Sequence, residues 1–157
     1  MEPIRVNTLD SKFKLEVSQQ PGGEGLKACF ACGACTGGCP VSEVDAAYDP
    51  RKIIRMVLLG MKEKVLASDL IWLCAMCYTC SFHCPQDVKF ASVMEVLRKL
   101  ALKEGYVKPA FIKNIANIET FSQTVRHNMV MAIVGKKKED DFSVNVKELL
   151  TQVAQQL

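Results

Sequence analysis

The eight cysteines of this chain fall into two runs with the same spacing. The first cysteine run, residues 29–40, reads CFACGACTGGCP, and the second cysteine run, residues 74–85, reads CAMCYTCSFHCP. Both follow the pattern C-x2-C-x2-C-x3-C-P, which is the spacing of thiolate ligands in a common type of 4Fe–4S site. The chain is therefore predicted to bind two 4Fe–4S clusters, whose chemistry is the transfer of single electrons.

The spacing also predicts how the ligands divide between the clusters. Three cysteines at close spacing follow a tight turn of the backbone and can bind three iron corners of one cubane. The fourth cysteine lies farther along the chain and, in runs of this type, binds the other cluster. We therefore predict a first cluster bound by Cys29, Cys32, Cys35 and Cys84, and a second cluster bound by Cys74, Cys77, Cys80 and Cys39.

The residues between the cysteines differ between the runs. The first run contains glycines that allow backbone N–H groups to approach the cluster, whereas the second run has bulkier side chains. Hydrogen bonds to the sulfurs and exposure to solvent set the potential of a cluster. We therefore expect the two clusters to have unequal potentials. The residues concerned are Gly33, Gly37 and Gly38 in the first run, and Met76, Tyr78, Phe82 and His83 in the second.

Other uses of cysteine fit the pattern less well. A structural zinc site more usually has paired C-x2-C units around one ion, and disulfides are typical of exported proteins. The N-terminus has no apolar stretch of signal-peptide length, so we expect a cytoplasmic protein with reduced thiols. The longest apolar run, residues 129–134, is far shorter than the roughly 20 residues that cross a bilayer, so no membrane span is expected.

The charge of the chain does not indicate a nucleic-acid-binding protein. The formal net charge is +3 with every cysteine counted as neutral. Two clusters with their thiolates contribute about −4, because the charge of a bound cofactor belongs in the sum. The loaded protein then has a net charge near about −1.

The segment between the two runs, residues 40–73, is predicted to be helical. Asp49 followed by Pro50 is a good N-cap and first helical residue, and apolar residues then recur at helical spacing as far as Gly60. Ser68 marks a second helix start that leads into the second run. The segment is long enough for two helices.

Further helices are predicted after the second run. Asp87 is predicted to cap a helix from about residue 88 to residue 104, which ends at Gly105. Pro109 begins another helix. The apolar residues 125–134 are expected to form either a helix or a segment that binds a partner.

The two ends of the chain have weaker patterns. Apolar residues alternate over residues 2–17, which suggests two short strands in a β ribbon. Residues 136–141 are a charged linker, and a last amphipathic helix is predicted over residues 143–157. The expected organisation is mainly α: an N-terminal extension at residues 1–20, a domain with two clusters at residues 21–106, and a C-terminal helical extension at residues 107–157 that contacts other subunits.

With these stretches in view, the chain resembles the C subunit of heterodisulfide reductase and its relatives. The matching stretches are residues 29–40, 49–60, 72–85 and 93–100, and the resemblance covers roughly residues 22–106. It implies an α-helical ferredoxin domain like that of the iron–sulfur subunits of succinate dehydrogenase and fumarate reductase. The long helical segment between the runs agrees with that fold better than with compact βαβ ferredoxins.

The resemblance also implies a function and partners. In that family, the C subunit carries electrons from the A subunit, which has flavin and clusters, to the B subunit, whose noncubane clusters reduce the disulfide. The sequence contains no Cys-Cys pair of the kind that binds noncubane clusters and no G-x-G-x-x-G flavin fingerprint. The resemblance therefore implies a non-catalytic electron-transfer subunit with an A-like and a B-like partner and no catalytic residue of its own.

Two alternative functions are left open. One is the iron–sulfur subunit of another flavin-dependent dehydrogenase, of the glycolate or glycerol-phosphate type, although those relatives usually carry the Cys-Cys-Gly domain on the same chain. The other is a free soluble ferredoxin with two clusters. Soluble carriers of that kind are typically acidic, whereas this chain has lysine-rich stretches and apolar terminal helices.

Overall fold

A computed structural model of the chain describes Asn7, residues 9–134 and Thr151. These described residues form helices, turns and loops and include no β-strand, which confirms a mainly α fold. The chain divides into two compact units, with the boundary between Lys108 and Pro109.

The first unit is built on seven α-helices and two 3-10 helices among its described residues. The longest of them, α7, lies at the centre of the core, because its buried side chains fall on more than one face and other helices pack around it. The α-helices are α1 (Phe13–Ser18), α2 (Ala34–Gly37), α3 (Pro40–Val44), α4 (Pro50–Leu58), α5 (Lys62–Leu66), α6 (Thr79–His83) and α7 (Phe90–Lys103), and the 3-10 helices are Glu24–Ala28 and Asp69–Trp72.

Helix α4 begins and ends as the sequence predicts. The Asp49 side chain accepts a hydrogen bond from the Lys52 N–H at 3.1 Å, which is the N-cap interaction. The apolar stripe of α4 is buried at Ile53, Ile54 and Val57. Since Gly60 has a φ of +80°, it ends the helix in a conformation that glycine adopts without strain.

Gly60 also forms a close contact with the chain in front of α1. Its carbonyl accepts a hydrogen bond from the Asp10 N–H at 2.7 Å, and a Cβ at residue 60 would lie 2.2 Å from the Asp10 carbonyl oxygen.

We expect Gly60→Ala to lower the free energy of unfolding by about 2 kcal/mol, because it adds backbone strain to a clash. Thermal denaturation of the loaded protein measures this loss. Gly105→Ala is the control, because Gly105 has a similar positive φ but nothing lies near its added Cβ, and equal losses in the two variants would contradict the prediction.

Helix α7 begins later than predicted. It starts at Phe90, and Asp87 and Lys89 in front of it have φ angles of +49° and +54°. A helix N-cap has an extended backbone, so the prediction that Asp87 caps this helix is wrong. The end of the helix agrees with the sequence, because Gly105 has a φ of +79° and donates its N–H to the carbonyl of Leu102 at 3.1 Å.

Residues 13–18 form helix α1 instead of the predicted strand. Phe13 and Val17, one helical turn apart, are fully buried, whereas Leu15 between them is 41% exposed. Alternating apolar residues in so short a segment fit a strand as well, but only the pair at i and i+4 faces the core. The strand prediction is therefore wrong for residues 13–17, and its other part, residues 4–6, lies outside the described residues.

The charged side chain of Lys62 connects α1, α5 and the end of α7. Its ammonium group lies 2.7 Å from a Glu16 carboxylate oxygen and 2.5 Å from one of Glu104. Burial alone would lower the pKa of Lys62, but the hydrogen bonds to the two carboxylates outweigh burial and raise it. The three helices are thus joined by a permanently charged group at the edge of the core.

The second unit contains one helix in the part of the chain that is described, α8 (Pro109–Val134). It begins at Pro109 as predicted and runs without a break through residues 125–134. No described residue of α8 is fully buried. Within the described ranges, no helix combines the length and the apolar character that crossing a membrane requires. The predicted linker at residues 136–141 and, except for Thr151, the predicted last helix lie outside the described residues.

Candidate metal centre

The two cysteine runs repeat in backbone conformation as well as in sequence. In each run, the residues two and four positions after the first cysteine have a positive φ. These are Ala31 (+60°) and Gly33 (+91°) in the first run, and Met76 (+50°) and Tyr78 (+59°) in the second. A short helix follows each turn, α2 in the first run and α6 in the second. The same left-handed turns therefore bring three thiols of each run together.

The fourth cysteine of each run leaves the turn in an extended conformation before its proline. Cys39 has φ −89° and ψ 117°, and Cys84 has φ −79° and ψ 114°. Helices α2 and α6 pack against each other, and the His83 ring lies so close to Gly38 that a side chain at residue 38 would overlap it. Each fourth cysteine therefore lies where the two runs meet.

One cavity is lined by three cysteines of the first run and the fourth cysteine of the second. Its described lining also includes Cys80 and the guanidinium-bearing side chain of Arg51 from α4, and its inner wall is apolar. The lining cysteines are Cys29, Cys32, Cys35, Cys80 and Cys84, and the apolar wall includes Ile54, Val88 and Phe90. The structure thus gathers the four predicted ligands of the first cluster around one space, which Cys80, predicted for the second cluster, also lines.

Two of the remaining cysteines, Cys39 and Cys74, lie together with Cys80 near the hydroxyl group of Tyr48. The Tyr48 side chain is 1% exposed, and the thiols that face its hydroxyl are those of Cys74, Cys39 and Cys80. Cys39 of the first run therefore lies with cysteines of the second run. Cys77 is exposed and lies 3.4 Å from the Thr79 hydroxyl oxygen, and it is close enough to Cys80 to contribute to the raised pKa of that thiol.

The two groups of cysteines differ in burial. Cys39 and Cys80, predicted for the second cluster, are each 8% exposed. None of the predicted ligands of the first cluster is buried to that extent, and each set has one exposed member, Cys32 and Cys77. Since exposure to solvent is one determinant of cluster potential, this difference supports unequal potentials, which stay a prediction until they are measured.

The thiols also differ in acidity. Burial raises the pKa of Cys35 and of Cys80, whereas the hydrogen bond with Thr79 lowers the pKa of Cys77. Metal ligation needs the thiolate, and a bound cation compensates for the burial that disfavours a free thiolate. The buried thiols are therefore suited to ligation more than to reactivity as free cysteines.

The site residues fit 4Fe–4S clusters. Among the described residues, the Tyr48 hydroxyl and the Ser81 hydroxyl are the buried side-chain oxygens without a hydrogen-bond partner, and Ser81 directly follows Cys80. Buried polar groups normally have partners, and cluster sulfurs are acceptors. The described His, Cys, Asp and Glu side chains include no set of three that converges on one ion, whereas a cubane spreads its thiolates over separate iron corners.

Arg98 on α7 is a site residue that sequence reasoning did not find. Its guanidinium donates hydrogen bonds to the carbonyls of Ile71 at 2.9 Å, Trp72 at 3.2 Å and Cys74 at 2.9 Å. It also lies 5.7 Å from the centre of the Trp72 ring, a cation–π distance. Arg98 therefore fixes the segment that delivers Cys74 to the second group of cysteines.

Thr36 connects the first run to helix α4. Its hydroxyl donates to Asp49 at 2.7 Å and accepts from the Arg51 N–H at 3.1 Å. Burial alone would raise the pKa of Asp49, but the hydrogen bonds from Thr36 and from the Lys52 N–H outweigh it and lower the pKa. The Asp49 carboxylate therefore stays charged and joins the helix cap to the cysteine run.

We expect Asp49→Ala to lower the free energy of unfolding by about 1 kcal/mol at neutral pH, the usual cost of losing an N-cap. Because the pKa of Asp49 is lowered in the folded protein, its contribution is complete above about pH 4 and decreases as the pH falls through the folded pKa. Chemical denaturation at two pH values measures both effects. Asp69→Ala removes an exposed carboxylate and is the control; an equal effect of the two variants would contradict the prediction.

Comparison with known proteins agrees with this geometry. Residues 25–88, which contain both cysteine runs, match the family described as "4Fe-4S dicluster domain". The match is to a domain that binds two 4Fe–4S clusters, and it agrees with the prediction from the two cysteine runs.

Several relatives of the chain are named as C subunits of enzymes that reduce the CoB–CoM heterodisulfide. The chain is 42% identical over 112 residues to an iron–sulfur C subunit of CoB–CoM heterodisulfide reductase from Methanocaldococcus jannaschii, and the match covers 71% of this chain and 59% of the relative. It is 37% identical over 107 residues, 68% of this chain and 57% of the relative, to the C subunit of "H(2):CoB-CoM heterodisulfide,ferredoxin reductase" from Methanothermobacter thermautotrophicus.

A third relative has higher identity over a shorter stretch. The chain is 50% identical over 80 residues, 51% of this chain and 42% of the relative, to a C subunit of "H(2)/formate:CoB-CoM heterodisulfide,ferredoxin reductase" from Methanococcus maripaludis. The resemblance of the dicluster domain to the C subunit of heterodisulfide reductase is therefore confirmed. The chain spans less than two thirds of the length of each of these relatives.

Proposed function

We propose that this chain is a non-catalytic electron-transfer subunit of a heterodisulfide reductase-like oxidoreductase complex. The observation that carries the proposal is the grouping of the cysteines, in which the fourth cysteine of each run lies with the other run. Two 4Fe–4S clusters bound there would supply one-electron transfer at two neighbouring centres. The chain itself holds the ligands, excludes water from one side of the site and supplies hydrogen-bond donors.

The proposal includes the ligand sets. Cys84 lines the same cavity as three cysteines of the first run, and Cys39 faces Tyr48 together with cysteines of the second run. Both observations support the exchange of fourth ligands that the spacing predicts. The proposed ligands are Cys29, Cys32, Cys35 and Cys84 for the first cluster, and Cys74, Cys77, Cys80 and Cys39 for the second.

We also propose the partners and the arrangement of the chain. An A-like subunit with flavin and clusters and a B-like subunit with a noncubane cluster are the expected neighbours, because each of the relatives named above is a C subunit. All cysteines of the chain are assigned to the two cubane clusters, which leaves none for a noncubane cluster. The C-terminal extension from residue 107, which contains α8, is proposed to contact other subunits. The proposed location is the cytoplasm, whose reducing conditions would keep the thiols available as ligands.

The test uses the anaerobically purified, cluster-loaded chain. After reduction by a low-potential donor, it is expected to pass electrons to a one-electron acceptor such as cytochrome c, and to show no disulfide reduction by itself. Disulfide turnover by this chain would contradict the proposal. Purification from native extract is expected to recover a flavoprotein and a second cluster-bearing protein; elution of the chain as a free monomer would instead support a soluble ferredoxin.

A further inference from the structure

Tyr48 is a buried polar residue without an assigned role. It lies directly before the Asp49 cap, it is 1% exposed, and its hydroxyl has no hydrogen-bond partner within the described residues. A buried donor without a partner lowers the stability of the folded state. Such a hydroxyl is retained without penalty where a bound group supplies the acceptor.

The backbone around Tyr48 fixes the position of its ring. The Tyr48 N–H donates to the Asp45 carbonyl at 3.0 Å, and its carbonyl accepts from the Ser42 hydroxyl at 2.8 Å. Both main-chain groups are therefore satisfied, and the side chain is packed in the hydrophobic core. The hydroxyl is the one polar atom of Tyr48 that is left for another partner.

The thiols that act on the hydroxyl are those of Cys74, Cys39 and Cys80, with Cys74 first. All three are proposed ligands of the second cluster, and Cys80 also lines the first cavity. The hydroxyl lies beside the Cys74 thiol but does not form a hydrogen bond of good geometry with it. The described residues that line the first cavity include no tyrosine, so the donor serves one of the two sites.

The hydroxyl can donate one hydrogen bond, because a phenol is protonated at neutral pH. A neutral O–H beside a thiolate ligand presents the positive end of its dipole to the sulfur.

We propose that Tyr48 donates a hydrogen bond to the Cys74 thiolate of the second cluster and thereby raises the reduction potential of that cluster. The inference rests on the proposed function, since it needs a cluster bound by Cys74, Cys77, Cys80 and Cys39. The reduced site has one more negative charge than the oxidised site, so a donor at a ligand sulfur stabilises the reduced state more. Tyr48 acts through its sulfur partner and is a positioning and tuning residue.

The test is the Tyr48→Phe variant of the full, cluster-loaded chain, which loses only the hydroxyl oxygen. Both clusters are expected to stay, with about eight irons per chain. At a fixed potential, the ratio of reduced to oxidised second cluster is expected to fall about tenfold, which is about 59 mV for a one-electron couple. The first cluster is expected to keep its potential. Signals are assigned to each cluster with Cys32→Ala and Cys77→Ala.

The matched control is Tyr106→Phe. Tyr106 is 39% exposed, follows the end of α7 and is not among the residues that line the first cavity. The control is expected to leave both potentials unchanged. An unchanged second potential in Tyr48→Phe, or an equal shift of both clusters, would overturn the proposal.

A second measurement covers the case in which Tyr48→Phe fails to retain the second cluster. Global replacement of tyrosine by 3-fluorotyrosine keeps the ring and makes the phenol a stronger donor, so the second potential is expected to rise. A constant or lowered potential overturns the proposed hydrogen bond. Failure of the proposed function would be recognised by a different measurement. The unsubstituted protein would then contain only about four irons per chain.

Discussion

Replacing Cys84 with alanine is expected to abolish the first cluster, although Cys84 belongs to the second cysteine run. Cys84 lines one cavity with Cys29, Cys32 and Cys35, so its loss removes one of the four proposed ligands of that site. Iron is expected to fall from about eight to about four per chain. Iron analysis and electron paramagnetic resonance of the anaerobic protein measure the loss.

The identity of the surviving cluster decides the ligand assignment. Cys32→Ala removes a proposed ligand of the first cluster, and Cys77→Ala one of the second; both cysteines are exposed, so neither change disturbs the core. The spectrum and midpoint potential of Cys84→Ala are expected to match those of Cys32→Ala. A match with Cys77→Ala would show that each run binds its own cluster and would contradict the exchange. Cys39→Ala is expected to give the reciprocal result.

Replacing Arg98 with methionine is expected to destabilise the second cluster selectively. The variant loses three hydrogen bonds to the carbonyls of Ile71, Trp72 and Cys74 and the contact with the Trp72 ring. Carbonyls left without donors cost about 1–3 kcal/mol, and together we expect a loss of about 3 kcal/mol. Since Cys74 is tethered by this guanidinium, iron should leave the second site first.

The rate of iron loss to a chelator measures this effect. Lys99→Met is the matched control, because Lys99 is the next residue on α7 and is exposed. Arg98→Lys is expected to lie between the native protein and Arg98→Met, since an ammonium group on a shorter reach cannot contact all three carbonyls as the planar guanidinium does. Equal rates in Arg98→Met and Lys99→Met would contradict the role given to Arg98.

Local signals in the sequence predict much of the fold around the site. The N-cap at Asp49, the turn at Gly60 and the helix end at Gly105 each depend on a residue type whose conformation is nearly independent of the rest of the chain. The 3-10 helix that begins after Ser68 is also predicted by a local signal, because the Ser68 side chain accepts a hydrogen bond from the Leu70 N–H at 3.1 Å. Such features are predictable because neighbouring residues determine them.

Tertiary context decides the features that the sequence does not predict. The alternation of Phe13, Leu15 and Val17 fits a strand and a helix equally well, and packing on the core selects the helix. Asp87 has the residue type of a cap, but the turn that leaves the second run gives it a φ of +49°. Both errors arise where contacts distant in sequence override a local preference.

The residues of the candidate site also fall into two groups: those that the sequence predicts and those that only tertiary packing identifies. The cysteine spacing predicts the ligands, because a cluster requires thiolates at fixed separations. Tyr48 and Arg98 have no motif around them, and a tyrosine before a helix or an arginine on a helix is ordinary in sequence. Arg51 looks like part of a solvated helix face, yet it contributes to the lining of the first cavity. Only the packing of α4 and α7 on the cysteine runs identifies these residues.

The metal content of the anaerobically purified chain tests the central claim most directly. Elemental analysis by mass spectrometry, with protein concentration from amino-acid analysis, gives iron and zinc per chain in one experiment. A chain with two 4Fe–4S clusters contains about eight irons and no stoichiometric zinc. Stoichiometric zinc, or about four irons per fully folded chain, would contradict the assignment of two clusters and with it the proposed role in electron transfer.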